Sequence, residues 1–173
     1  MELLLSYGYN RIYVVGHSMG GVLASYVATK YPQIKKVVLA AASFKYIGEW
    51  ENFSIKKTGS IINEYGLGEI AFRCFERLSF KAVNEFITLV KNYQKVPSEI
   101  EQPILIIQGL KDDIVPVTSA DYIFDNVKSK KKGLIYVEKS NHDIFNSSEQ
   151  DIVNERIYKF LRCGKLPKEK ETL

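Results

Sequence analysis

A chain of 173 residues is long enough for one domain with a substantial core and leaves little room for a second. Hydrophobic residues make up 46% of it, charged residues 25% and aromatics 12%, a globular balance that excludes disordered, collagen-like and coiled-coil readings. Its 24 Lys and Arg against 20 Asp and Glu leave a net charge of +4, too mild to make nucleic acid the main partner.

The opening residues 1–5 (MELLL) carry no basic segment, and Ser6 and Gly8 break the apolar run, so they do not read as a signal peptide. The longest uncharged apolar stretch, residues 37–44, is far short of the roughly 20 residues that a membrane span needs. Residues 11–17 (RIYVVGH) form a β-branched and aromatic run broken at Gly16. Apolar residues then recur at helical spacing over 22–31 until Pro32, which predicts strand, turn and helix. Further strands are predicted at 36–41 (KVVLAA), 104–108 (ILIIQ) and 134–138 (LIYVE), all continuous hydrophobic runs of the kind that parallel strands covered on both faces require. Helical patterns at 118–128 and 148–161 flank the last of these. The expected class is α/β with a parallel sheet.

Residues 44–97 break this rhythm. They hold helix-like stretches at 55–65, 69–78 and 80–93, and no clear strand. Trp50, Phe53, Tyr65, Phe72, Phe75, Phe80 and Phe86 within it make either a small helical core or an apolar ligand wall. Lys128, Lys130, Lys131 and Lys132 read as a solvated loop, and the polar segment 164–173 as a frayed tail. The two cysteines, Cys74 and Cys163, lack metal-ligand spacing. They read as free thiols, which points to a reducing, cytoplasmic setting.

Gly16-His17-Ser18-Met19-Gly20 fits G-x-S-x-G directly between the first strand and its helix, where a serine perched on a tight turn exposes its hydroxyl above the sheet. The elbow glycines Gly16 and Gly20, followed by Gly21, leave room for the turn, and the Met19 backbone N–H at the helix start is an expected oxyanion donor. A phosphate cradle is excluded on spacing, because neither G-x-G-x-x-G nor G-x-x-x-x-G-K-[ST] can be written here. A serine nucleophile needs a base. Of the two histidines, His17 lies inside the elbow with its side chain expected to point away from the hydroxyl. His142, in a polar loop after the last predicted strand, is then the expected base. The base in turn needs a carboxylate, and the loop 109–116 (GLKDDIVP) offers Asp112 and Asp113, between which spacing does not choose. No metal-ligand spacing such as H-E-x-x-H occurs, so no metal site is expected.

The elbow GHSMGG, the Gly109-x-x-Asp112-x-x-Val115-Pro116 loop and the His142 loop together resemble the α/β-hydrolase superfamily over residues 8–162. The insertion 44–97 is similar to the helical cap of its carboxylesterase and monoacylglycerol lipase branch. The resemblance implies a Ser-His-Asp triad of Ser18, His142 and Asp112, the last because the family's acid stands three residues after the loop glycine. It also implies hydrolysis of a small-molecule ester through an acyl-enzyme without metal or organic cofactor; the aromatics of the insertion favour an apolar acyl group. The sequence departs from the family in two ways. The first strand resembles the family's fifth, as if the amino-terminal strands were lacking, and no His-Gly pair occurs to supply the other oxyanion donor. Each departure carries an expectation. The first strand exposes an edge open to a homodimer or a partner chain, and loss of one oxyanion donor lowers turnover by about 100- to 1000-fold.

Overall fold

The computed structural model describes residues 1–45 and 80–173, apart from the side chains of residues 80, 83 and 84. A short helix α1 (Glu2–Ser6) leads into β1 (Ile12–His17), followed by α2 (Met19–Lys30) and β2 (Ile34–Ala40). After the undescribed segment come α3 (Phe80–Tyr93), a 3₁₀ turn (Val96–Glu99), β3 (Ile104–Gly109), α4 (Val117–Asn126) and β4 (Lys132–Val137). A second 3₁₀ turn (Ile144–Asn146), α5 (Gln150–Cys163) and β5 (Lys170–Thr172) complete the chain. The strands form one sheet in the order β1-β2-β3-β4-β5, every neighbouring pair parallel.

Alternation along the central strands sends successive side chains to two separate cores. Val37, Leu39, Ile104, Ile106 and Leu134 meet Val22, Ala24 and Ala28 of α2 and Ala120 and Ile123 of α4 on one face. Val38, Ala40, Leu105, Ile107, Ile135 and Val137 meet Val153, Ile157 and Phe160 of α5 on the other. With both faces of the central strands covered, residues 37–40 of β2 and 104–107 of β3 are apolar without a break, which is why their sequence signal has no alternation. The helical signal of α2 is carried by small residues instead. A Cβ added at Gly21 would collide with that of Ala42, so the helix lies close against the end of β2.

Of the insertion expected over 44–97, residues 46–79 lie outside the described residues, and with them the stretches 55–65 and 69–78, Cys74 and the aromatics from Trp50 to Phe75. The third stretch is α3, whose Val90 is buried in the α2-side core with Phe86, Leu89 and Tyr93 packed against it. There the small-core reading describes the packing.

Two expectations are corrected. Residues 164–173 are not a frayed tail: Lys170–Thr172 pairs in parallel with β4, from Leu134↔Lys170 to Tyr136↔Thr172. The polar pattern hid this because edge-strand partners are side chains on neighbouring elements. Lys170 Nζ and the Tyr136 hydroxyl both donate to Asp121 Oδ1 at 2.6 Å, Arg156 pairs with Glu171, and Leu166 and Leu173 pack on the α5-side core. Nor does Lys132 belong to a solvated loop. It opens β4 and its ammonium donates to the Phe124 carbonyl at 2.6 Å over that residue's ring.

At the opposite edge β1 is hydrogen-bonded only to β2 among the described residues, and Val15 on it is 46% exposed. Removing residues 166–173 uncovers β4 and takes two half-buried leucines, Leu166 and Leu173, off the α5-side core. The expected result is a loss of roughly 2–3 kcal/mol of stability, read as a lower urea midpoint, with an exposed β4 edge that promotes association.

Candidate active site

In a parallel sheet every strand ends at the same edge, and the four loops that matter leave β1, β2, β3 and β4 there. Ser18 follows β1 directly. Its backbone sits at φ 54°, ψ −125°, a left-handed conformation unusual for a residue with a Cβ, while its N–H stays tied to the Ala40 carbonyl at 2.9 Å. The close approach of chain to chain explains the first glycine of the motif. A Cβ at Gly16 would strike the Gly20 carbonyl and come within 2.7 Å of the Ala24 Cβ. Gly20 is different, since a Cβ there would meet nothing within 4 Å.

The structure brings Ser18, His142 and Asp112 together in one hydrogen-bonded row. Ser18 Oγ lies 2.9 Å from His142 Nε2, and His142 Nδ1 lies 3.0 Å and 3.2 Å from the two carboxylate oxygens of Asp112. The imidazole is 17% exposed and the carboxylate is fully buried. With an ionised carboxylate at Nδ1, that nitrogen carries the ring proton and Nε2 is left to accept from the serine hydroxyl. The geometry therefore separates the two aspartates that spacing left equivalent, and Asp112 is the one that faces the ring.

Asp112 is held from four directions. Its Oδ1 accepts from the backbone N–H groups of Ile114 (2.9 Å) and Val115 (2.8 Å), and its Oδ2 from the Gln108 side-chain amide (2.9 Å). Burial pushes the carboxyl pKa up. The hydrogen bond from His142, those from Val115 and Ile114 and the attraction of the imidazole outweigh it, and the net value lies below the ordinary carboxylate range. Gln108 escaped sequence reading. A buried polar residue at the end of an apolar strand, four before Asp112, is the signal that points to it.

His17 turns away from the Ser18 hydroxyl but not from the site. Its Nε2–H donates to the His142 backbone carbonyl at 2.8 Å, and its ring lies 5.0 Å from that of His142 and edge-on to Phe145. The elbow thus holds His142 by its main chain as well as through the serine. From the other side Gly109 fixes the same loop, since a Cβ there would meet the Ser140 carbonyl and come within 2.6 Å of that of Asn141. Met19, the expected oxyanion donor, opens α2, and its N–H is unpaired among the described residues. Ser43, another residue not singled out from sequence, is buried with its hydroxyl 3.4 Å from Ser18 Oγ.

The sequence pattern of the prolyl oligopeptidase family matches residues 5–163. The chain belongs to this family. Among curated relatives of this family member, a carboxylesterase of Bacillus subtilis (strain 168) is 25% identical over 173 residues, covering 92% of this chain and 67% of its own. A thermostable monoacylglycerol lipase of Bacillus sp. (strain H-257) is 27% identical over 158 residues, covering 86% and 62%. The chain thus spans about two thirds or less of the length of these relatives. A crystal structure of Paleococcus ferrophilus monoacylglycerol lipase superposes with a TM-score of 0.69 at 18% identity, over 92% of this chain and 71% of that one. A soluble variant of the Saccharomyces cerevisiae monoglyceride lipase does so at 0.64 and 15%, over 96% and 66%. The α/β-hydrolase resemblance and the α/β-hydrolase fold are borne out.

Two outcomes are expected of this prolyl oligopeptidase family member. A left-handed Ser18 stores strain of about 1–3 kcal/mol. Ser18→Gly should therefore melt higher than Ser18→Ala, by roughly 1 kcal/mol of stability after the unfolded-state cost of glycine. The depressed Asp112 carboxyl stabilises the fold fully above its unfolded value of about 4, and that contribution is lost as pH falls through the lower folded value. The gap in melting temperature between the native protein and Asp112→Asn should be widest above about pH 5 and close below about pH 4.

Proposed function

We propose that the chain is a serine hydrolase that cleaves carboxylic esters through an acyl-enzyme, with Ser18 as nucleophile, His142 as base and Asp112 as its orienting acid. The observation that carries the reading is one imidazole hydrogen-bonded at Nε2 to a half-buried elbow serine (2.9 Å) and at Nδ1 to a buried carboxylate (3.0 Å). His142 Nε2 takes the Ser18 proton as Oγ bonds to the ester carbonyl carbon, and the carbonyl electron pair moves onto oxygen beside the Met19 N–H. The bond to the alcohol oxygen then breaks as His142 returns the proton to it. A water deprotonated by the same ring attacks the acyl-serine, and the acid leaves as the acyl–Oγ bond breaks and His142 returns that proton to Ser18. Asp112 steadies the imidazolium in both halves.

The names of the curated relatives, a carboxylesterase and a monoacylglycerol lipase, favour an ester over the peptide bond for which the family is named. Apolar and exposed Met19 and Leu110, flanking Ser18 and the Asp112 loop, favour an apolar acyl group on a small-molecule ester. Among the described residues no helix is long and apolar enough to cross a membrane. Cys163 is exposed and free among the described residues, and the location proposed is a reducing, cytoplasmic one.

A second reading is favoured by the β1 edge: a partner-dependent subunit of little activity whose β1 accepts a strand from a partner or a second copy. One set of measurements separates the two. Purified protein should hydrolyse short-chain p-nitrophenyl esters, and Ser18→Ala should be slower on the order of 10⁴-fold, with fluorophosphonate labelling abolished. Equal rates for both proteins would remove Ser18 as nucleophile. A folded native protein that neither labels nor hydrolyses, and whose mass in solution exceeds that of one chain, favours the partner-dependent subunit.

A further inference from the structure

We infer that the Ser43 hydroxyl is a second hydrogen-bond donor to the reacting centre, placed to serve the oxyanion beside the Met19 N–H. This rests on the reading of Ser18 as nucleophile. The hydroxyl of Ser18 has one proton, and the lone pair of His142 Nε2 at 2.9 Å takes it. In the contact between Ser18 Oγ and Ser43 Oγ at 3.4 Å, the proton must then come from Ser43. No other hydrogen bond holds that hydroxyl among the described residues, although Ser43 is buried. A buried hydroxyl with one long partner lacks most of the hydrogen bonding that burial demands, and its rotor is free to turn toward a better acceptor.

The backbone brings Ser43 to that place at a cost. Ala41, just past the end of β2, is the other non-glycine residue with a positive φ among the described residues, at 44°. Beyond it the chain turns so that the Ser43 N–H reaches the Ser18 carbonyl at 3.3 Å, while Ala41 stays in the sheet through the Ile107 carbonyl at 2.9 Å. Strain of this kind persists only where the surroundings over-determine it, and here its effect is to tie the β2 loop to the elbow.

When Oγ bonds to a carbonyl carbon, the negative charge appears on the adjacent oxygen rather than on Oγ. A donor is useful there if it lies about 2.7–3.1 Å from that oxygen rather than from the ground-state one. Ser43 Oγ is too far from Ser18 Oγ for a strong bond in the resting site, and it approaches from the one neighbouring strand end that supplies neither base nor acid. Its contribution is thus small to the free protein and large to the tetrahedral state.

The test compares the native protein with Ser43→Ala and Ser18→Ala, using p-nitrophenyl butyrate for turnover and butylboronic acid as a probe that forms a tetrahedral anion on the nucleophilic serine. For Ser43→Ala the expected result is a kcat lower by about 100-fold with KM within threefold, and boronate affinity weakened by a similar factor. Its melting temperature stays near that of the native protein, because the lost hydroxyl was poorly bonded. A kcat within threefold of native overturns the inference, as does a lower kcat with boronate affinity unchanged, since the hydroxyl would then not face the tetrahedral oxygen. Ser18→Ala reports separately. If it keeps native activity, the nucleophile assignment falls and the role of Ser43 with it; if it is inactive, the Ser43→Ala result bears on Ser43 alone.

Discussion

The hydrogen bond from Ser18 Oγ to His142 Nε2 joins the ends of β1 and β4, two strands that do not touch, with β2 and β3 between them. It exists only because all five strands run the same way, so that β1 to β4 deliver their following loops to one edge. Ser18 comes from the first, Ser43 from the second, Asp112 from the third and His142 from the fourth. Reverse any one strand and its residue goes to the far edge. The chemistry of the site is therefore a property of sheet direction before it is a property of any loop.

Each loop is held by backbone as much as by side chains. Ser18 and Ala41 carry the positive φ angles, Gly16 and Gly109 accept main-chain approaches that a methyl group would block, and His17 takes the carbonyl of His142 itself. Rigidity of this kind keeps Ser18 Oγ and His142 Nε2 at a fixed separation. The conformational strain is offset by the two apolar cores, which anchor the strands directly beneath the loops.

The two edges of the sheet are treated differently. β4 is covered by β5, fastened through the Asp121 carboxylate, which accepts from both Tyr136 and Lys170. The tyrosine hydroxyl is pushed well above its usual range, by burial first and then by its bond to that carboxylate. β1 has no such cover among the described residues, and it is the strand that carries the elbow.

Strand identity and the elbow were readable from the sequence alone because their causes are local. Hydrophobic runs of strand length bounded by Gly and Pro need no partner to be recognised, and G-x-S-x-G between a strand and a helix is a short-range backbone requirement. His142 was readable because the chain has one other histidine, already used in the turn. What the tertiary structure decided was everything that depends on which groups meet across long separations. Asp112 rather than Asp113 faces the ring, His17 holds the His142 loop, and a polar tail becomes β5. Hydrogen bonds between residues 30 to 125 positions apart leave no periodicity in the chain, so they are settled by the register of the sheet and by the obligation of buried polar groups to find partners.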